Sequence, residues 1–370
     1  MAAELDDIRA EIDSIDREIV RLLVARMQQV ALVGEYKRKR NLPLYAPERE
    51  AAMSQKLTAL CETAQPSAPL VNPHTARQSI HNIYRQIISS AYKVEGGLKV
   101  AYLGPEGTWS HQAAYNRFGN EVTFLACTTF EAIIHAVESN QADYGMLPIE
   151  NSIAGFVSQT LDPLMRDTGV RICSQIKQPV HNCLLAAAPL PPEQLHTITS
   201  HPQALKQCST WLSKHCPQAR RVPADSTAAA AQLAAADTTG HTAALGSPML
   251  EKIYKLHMLS ETAQNDLSNT TRFVIVGKQG TRPTGKDRTS LAFSVNHTPG
   301  KLAAVLNIFH QYSINMLCLN ARPMPSAPWR YLFFADVEGH HTASPLKECL
   351  EALRHNTAEL IILGSYPDND

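Results

Sequence analysis

No two of the eight cysteines form a Cys-x-x-Cys pair, and none has zinc-like histidine or cysteine spacing around it. The expectation is buried free thiols in a reducing, cytoplasmic setting, with no metal. No stretch approaches the roughly 18 apolar residues a membrane span needs. There is no excess of charge: Lys+Arg and Asp+Glu are both 34. No global field therefore draws nucleic acid or an anionic membrane. The start, MAAELDDIRAEID, is acidic and amphipathic, and does not read as a signal peptide. No internal repeat is present. What remains is a neutral chain of 370 residues, too long for one ordinary core, so two or three domains are expected.

Three segments follow different grammars. Residues 1–95 read as all helical. Leu5, Ile8, Ile12, Ile15, Ile19, Leu22, Val30 and Val33 form one apolar stripe on one helix with no proline. From Leu5 to Lys39 such a helix is roughly 50 Å long. It cannot bury its stripe within so short a segment and is expected to pack on helices of a second chain. Pro47 opens a second helix, with Glu48 and Glu50 at its positive end. QPSAPLVNP reads as a loop, and Asn72 caps a third helix. Residues 97–280 alternate short apolar runs with helical stretches, which predicts an α/β fold with largely parallel sheets. KQGTRPTGKDR reads as a linker. Residues 287–370 then run strand-helix-strand-strand-helix-strand, the order of a ferredoxin-like α+β domain.

On the long helix Arg26 and Lys37 are about three turns apart, on nearly one face and close to the stripe. A cation there is costly unless an anion meets it. Arg9 points away from that face. Arg49 and Glu50 open the second helix, and Glu95 ends the third. The basic run KRKR at 37–40 is accounted for by the negative end of the helix dipole.

With PERE after the long helix, this set resembles the all-helical chorismate mutases, whose three-helix chains interlock as dimers. The resemblance implies that Arg9 reaches the partner's site. Arg26, Lys37 and Arg49 would hold the carboxylates and ether oxygen of chorismate. Glu50 would bind its hydroxyl, and a protonated Glu95 its ether oxygen. The chemistry suits such a set: a Claisen rearrangement needs a dianion held compact and charge stabilised at the breaking bond, with no nucleophile. This chain departs at Ala46, where many members have Asp, and at Ala91, where others have Ser.

In the middle segment polar residues follow strand after strand: Gly104 to Ser110 in GPEGTWS, Glu150, Asn151 and Ser152 in PIENSIAG, Ser200 and Gln207 in TSHPQALKQC, Asp225, Ser247, and Thr271 in NTTRF. The carboxyl edge of such sheets is where ligands bind. The motifs GPEGTWS, PIENSIAG, SHPQ and TTRF together resemble the prephenate dehydratases, which implies two α/β lobes around a cleft, like a periplasmic binding protein. Thr271 would be catalytic, acting as a placed hydrogen-bond donor because its hydroxyl is a poor acid. Arg272 would bind a carboxylate of prephenate. Glu150, Asn151, Ser152, Ser200, Gln207, Asp225 and Phe273 would line the site. No cofactor is called for.

The last segment resembles the ACT domains, ligand-sensing modules. TPGKLAAVL places Pro299, Gly300 and Leu302 at a helix start, where free N–H groups can take a carboxylate. The second motif of that family appears as Asn320, Ala321, Arg322 and Pro323. The implied effector is L-phenylalanine, bound between paired domains.

The favoured reading is a bifunctional enzyme taking chorismate through prephenate to phenylpyruvate, as a homodimer or larger homo-oligomer, with no nucleic acid or membrane partner. The alternative from another class is a non-catalytic amino-acid sensor, with a binding-protein cleft and a helical segment that only dimerises. A third reading, arogenate in place of prephenate, is separated from the first by comparing the two substrates.

Overall fold

A computed structural model describes residues 2–64, 71–166, 168–323 and 331–368, with side chains from residue 5. Most of the loop expected at QPSAPLVNP, and the first residues of the strand expected at Trp329, lie outside the described residues. The chain divides into two compact units: residues 1–46, 56–98 and 118–123, and residues 47–55, 99–117 and 124–370.

In chain order, three helices come first: α1 (Ala2–Arg40), α2 (Pro47–Thr63) and α3 (Pro73–Glu95). The last turn of α1 is basic, and Asn72 caps α3 by accepting the His74 N–H. Within the first unit the expected stripe is uncovered: Ile15 is 59% exposed, and Leu5, Ile8, Ile12, Ile19 and Leu22 are also exposed. The part of α1 that is covered runs through Leu23, Arg26, Val30, Val33, Gly34 and Lys37. It packs on α3. Tyr45, Tyr92 and Phe118 form an edge-to-face aromatic cluster in the interior of this unit.

The second unit carries two lobes. The first contains β1 (Lys99–Leu103), α4 (Trp109–Phe118), β2 (Thr123–Cys127), α5 (Phe130–Glu138), β3 (Tyr144–Asn151), β4 (Gly155–Phe156), α6 (Ser158–Leu164) and β5 (Arg171–Pro179). The second contains β6 (Cys183–Ala186), β7 (Thr197–Ser200), α7 (Pro202–Gln207), α8 (Ser209–His215), β8 (Arg220–Pro223), α9 (Thr227–Ala236), β9 (Thr242–Gly246), α10 (Met249–Tyr254) and β10 (His257–Ser260). The chain then returns to the first lobe as β11 (Thr270–Gly277). The last strands and helices are β12 (Asp287–Ser294), α11 (Lys301–Gln311), β13 (Met316–Pro323), β14 (Tyr331–Glu338), α12 (Leu346–Arg354) and β15 (Glu359–Pro367).

The sheets are ordered β2-β1-β3-β11-β5 with β4 on β3, β10-β6-β9-β7-β8, and β13-β14-β12-β15. The expectation of largely parallel sheets needs correcting. β1 with β3, and β7 with β8 and β9, are parallel. β11 is antiparallel to β3 and β5, and β6 to β9 and β10. The reason is the crossing between lobes. The chain leaves along β5 and re-enters beside it, so Thr270 pairs with Pro179 and the returning strand must run the other way. The last sheet follows the predicted strand-helix order.

All eight cysteines are free, six of them buried. Burial pushes the Cys173, Cys183 and Cys208 thiols up to about 12, which leaves them inert packing groups.

Burial also holds the imidazoles of His111, His340 and His341 below the usual value of 6.5. On unfolding each returns to it, so the unfolded chain binds more protons in mild acid. The stability these neutral rings contribute is complete above about pH 6.5 and is lost as pH falls. The melting temperature should therefore hold from about pH 8 to 6.5 and decline from there toward about pH 5. A profile that is flat or rising over the lower interval would contradict this.

Candidate active sites

In the first unit, Gly34 decides how close α1 comes to α3. A Cβ there would stand 2.8 Å from the Glu95 Cα. One turn on, that closeness lets Lys37 Nζ donate to Glu95 Oε2 at 2.6 Å and to the Leu44 carbonyl at 2.7 Å. Both side chains are largely buried. Arg26 lies on the same covered stripe. Arg9 is exposed and pairs with Asp6 of its own helix at 3.5 Å. In the second unit, Arg49 is exposed, while Glu50 pairs with Arg117 of α4 at 2.7 Å. Sequence reasoning did not consider Arg117. Ala46 stands at the N-cap of α2 with extended backbone and no side chain to accept an N–H. An Asp at this position would cap the helix, so Ala46 removes a cap as well as an acid. Ala91 is buried in α3.

Residues of both α/β lobes line one cavity of about 840 Å³. Leu103, Cys127 and Asn151 reach it from the carboxyl ends of β1, β2 and β3. The centre of the site is the Asn151 carboxamide. Its Oδ1 accepts from the backbone N–H groups of Ile153 at 3.1 Å and Ala154 at 2.9 Å. That fixes which end is nitrogen. Its Nδ2 donates to Thr271 Oγ1 and to Asn269 Oδ1, both at 2.9 Å. A carboxamide nitrogen only donates, so the threonine oxygen accepts, and its own proton is left for another acceptor. Thr271 and Phe273 both line the cavity, as alternate residues of a strand should.

The other predicted residues divide. Gln207 and Asp225 line the cavity. Ser226, next to Asp225, caps α9 through the Ala229 N–H at 3.0 Å. Ser152 accepts the Thr270 N–H at 3.0 Å and secures the crossing strand. Ser200 is fully buried and donates to the Leu245 carbonyl at 2.8 Å, a bond within the second lobe's sheet. Ser247 donates to the Gly107 carbonyl at 2.9 Å, joining the lobes. Arg272 is not among the lining residues. It is 5% exposed and lies on the far face of β11, against Glu150 at 3.3 Å and Asp336 at 2.7 Å. Its assignment to a substrate carboxylate is corrected, and Glu150, its cross-strand partner, is likewise outside the lining. The reason is the strand period of two: neighbours of Thr271 face away from what Thr271 faces.

Among the lining residues that escaped the sequence reading are two asparagines. Asn182 is fully buried, the Cys208 thiol contacts it, and among the described residues neither polar atom of its carboxamide has a conventional hydrogen-bond partner. Asn269 Nδ2 is equally without one. Buried amides are normally satisfied, so two open ones on a cavity wall mark places for a ligand. An asparagine inside the apolar run HNCLLAAA was the available signal for the first. Among the described lining residues there is no lysine and no arginine.

In the last segment a second cavity of about 470 Å³ is lined by Pro299, Gly300, Leu302, Lys301, Tyr331 and Phe333 among others. Gly300 takes φ +80° at the cap of α11. Asn320, Ala321, Arg322 and Pro323 lie on β13, outside this lining. Arg322 forks onto Asp162 of α6 at 3.0 to 3.1 Å.

Residues 100–281 match the prephenate dehydratase family and residues 8–96 the chorismate mutase type II family. The bifunctional chorismate mutase/prephenate dehydratase of Aquifex aeolicus is 37% identical, with 98% of each chain covered. That of Neisseria gonorrhoeae is 36% identical over 99% of each. Among solved structures, the prephenate dehydratase of Arthrobacter aurescens in complex with L-Phe is 30% identical, with TM-score 0.68, covering 73% of this chain and 90% of that one. A protein described as a quorum quenching acylase has the same TM-score at 29% identity, covering 73% and 98%. With two family matches in tandem and relatives aligned from end to end, the chain belongs to the family of bifunctional chorismate mutase/prephenate dehydratases.

Proposed function

We propose that the chain rearranges chorismate to prephenate in its helical segment and converts prephenate to phenylpyruvate in its cleft, as a step of phenylalanine biosynthesis in the cytoplasm. The observation that carries the second activity is the Asn151–Thr271 hydrogen bond at the cavity wall.

In the first unit Arg26 and Lys37 hold the dianion, and Arg9 serves the partner's site. The Lys37–Glu95 pair supplies a donor beside the breaking ether bond. In the cleft, prephenate loses CO2 and its ring hydroxyl, and the bond electrons of the departing carboxylate complete the aromatic ring. Because Asn151 occupies the threonine oxygen as donor, the Thr271 proton points to the leaving hydroxyl and eases its exit as hydroxide, which takes its proton from solvent. With no cation in the described lining, substrate carboxylates are met by neutral donors: the open amides of Asn182 and Asn269 and the amino ends of α4 and α9. A non-catalytic sensor leaves this arrangement without a task.

The purified protein given chorismate alone should yield phenylpyruvate. Thr271→Val should stop the sequence at prephenate, lowering dehydratase turnover by about 10²-fold or more with mutase turnover intact. Prephenate accumulating from the unaltered protein would sink the dehydratase reading, and untouched chorismate the mutase reading at Ala46.

The uncovered stripe of α1 is the face on which a second copy packs as an interlocked dimer, since a helix of 39 residues cannot cover it alone. Sedimentation should give at least twice the 40.7 kDa chain mass. A monomer at micromolar concentration would refute it.

The last segment is an ACT domain that binds L-phenylalanine in the pocket at α11, between paired domains. The effector's carboxylate lies at the amino end of α11 beside Lys301, its ring among Leu302, Tyr331 and Phe333. Calorimetry should show saturable heat with phenylalanine, abolished by Gly300→Val, whose backbone strain at positive φ adds to lost space. No heat at millimolar phenylalanine would rule the pocket out.

A further inference from the structure

Thr271 sits close to an irregularity of the sheet. Along β3, Thr271 pairs with Asn151 and Arg272 with Glu150, but Phe273 pairs with Pro148. Ile149 of β3 is skipped, so β3 bulges opposite the step from Arg272 to Phe273, one residue on from the threonine. A bulge leaves strand placement less determined by the ladder and more by what the side chains grip. The grip here is Arg272, on the face opposite the cavity.

Arg272 is held chiefly from the last sheet. Its Nη1 is 2.7 Å from Asp336 Oδ2, its Nη2 is 3.3 Å from Glu150, and Gln175 is 3.5 Å away. Asp336 is fully buried on β14, a central strand of its sheet. Ser290 Oγ of β12 donates to its Oδ1 at 2.5 Å, and Arg288 stands 3.7 Å from its Oδ2. Ser290 in turn meets the buried Tyr366 hydroxyl at 2.8 Å. Burial alone would lower the Arg272 pKa, but Asp336, then Tyr366 and Glu150, more than offset this and raise it. The whole set is therefore a fixed ion cluster on three strands of one sheet, holding one residue of another.

We propose that Asp336 is a positioning residue for the dehydratase reaction: through Arg272 it fixes the start of β11 beside the bulge of β3, and with it the Thr271 hydroxyl. The carboxylate touches no substrate. The last segment is thus part of the scaffold of the cleft even with its own pocket empty. The inference rests on the dehydratase reading above.

The test uses the full chain with prephenate as substrate and with chorismate for the mutase reaction. Asp336→Asn should lower dehydratase kcat about tenfold or more, with KM within about twofold and mutase turnover unchanged. Ser290→Ala keeps every charge and removes one hydrogen bond to Asp336. It should lower the same kcat by about twofold to fivefold, again without raising KM, which keeps the proposal testable if the first variant folds poorly. Melting curves at the assay temperature give the folded fraction by which each kcat is corrected. A corrected kcat equal to that of the unaltered protein in both variants overturns the proposal, because the cluster would then be structural only. A raised KM with kcat intact overturns it too, because Arg272 would then act on substrate affinity. If the unaltered chain fails to turn over prephenate, the dehydratase reading itself falls.

Discussion

One carboxamide holds the cleft together. Asn151 ends β3, the strand beside β11, and its side chain is gripped at both ends. Two loop N–H groups take its oxygen, and its nitrogen reaches Thr271 and Asn269 on the returning segment. The crossing between lobes is made by two antiparallel segments, β5 out and β11 back. Asn151 lies where the return begins, so the geometry of the threonine and the geometry of the crossing are set by the same group. Ser152 reinforces it by bonding both backbone groups of Thr270. The donor-only character of an amide nitrogen then decides the direction of the threonine proton. Aspartate at the same place would accept instead, and would claim that proton for itself.

The strand-end polarity of the middle segment led to the cleft because carboxyl ends of parallel strands meet there, and β1 and β3 obey that rule. What strand-end position does not reveal is which way each side chain faces. TTRF reads as one motif, yet a strand shows alternate residues to opposite sides. Thr271 and Phe273 face the cavity while Arg272 faces the last sheet. Ser200 illustrates another gap. Its neighbours in sequence are site residues, but its hydroxyl is consumed by Leu245 of β9, a partner 45 residues away that only the sheet order brings near. Asn182 was missed for the opposite reason: it sits among leucines and reads as part of a core strand until the cavity is seen.

In the helical segment the helices were legible from the spacing of apolar residues and from Pro47 and Asn72. The covered face of α1 was not. The strongest apolar stripe runs along its first half and is open within one chain, whereas the face on α3 is defined by Gly34, Lys37 and Glu95, a glycine and an ion pair. Hydrophobic periodicity reports the face with most to bury, and here that face is not the one a single chain covers.

The cleft meets a doubly charged substrate without an arginine or lysine in its described lining, while Arg272, the nearest guanidinium in sequence, is committed to Asp336. The electrostatics suit the chemistry. A strong fixed cation beside a carboxylate stabilises the charge that decarboxylation must remove, and so raises the barrier. Neutral donors orient the same group while holding its charge less firmly, and leave it free to depart as CO2. The driving force is aromatisation, so the help needed is local, at the leaving hydroxyl, and one well-aimed hydroxyl proton meets that need. An arginine turned away from the substrate, anchoring the strand that aims the proton, serves this reaction better than one turned toward it.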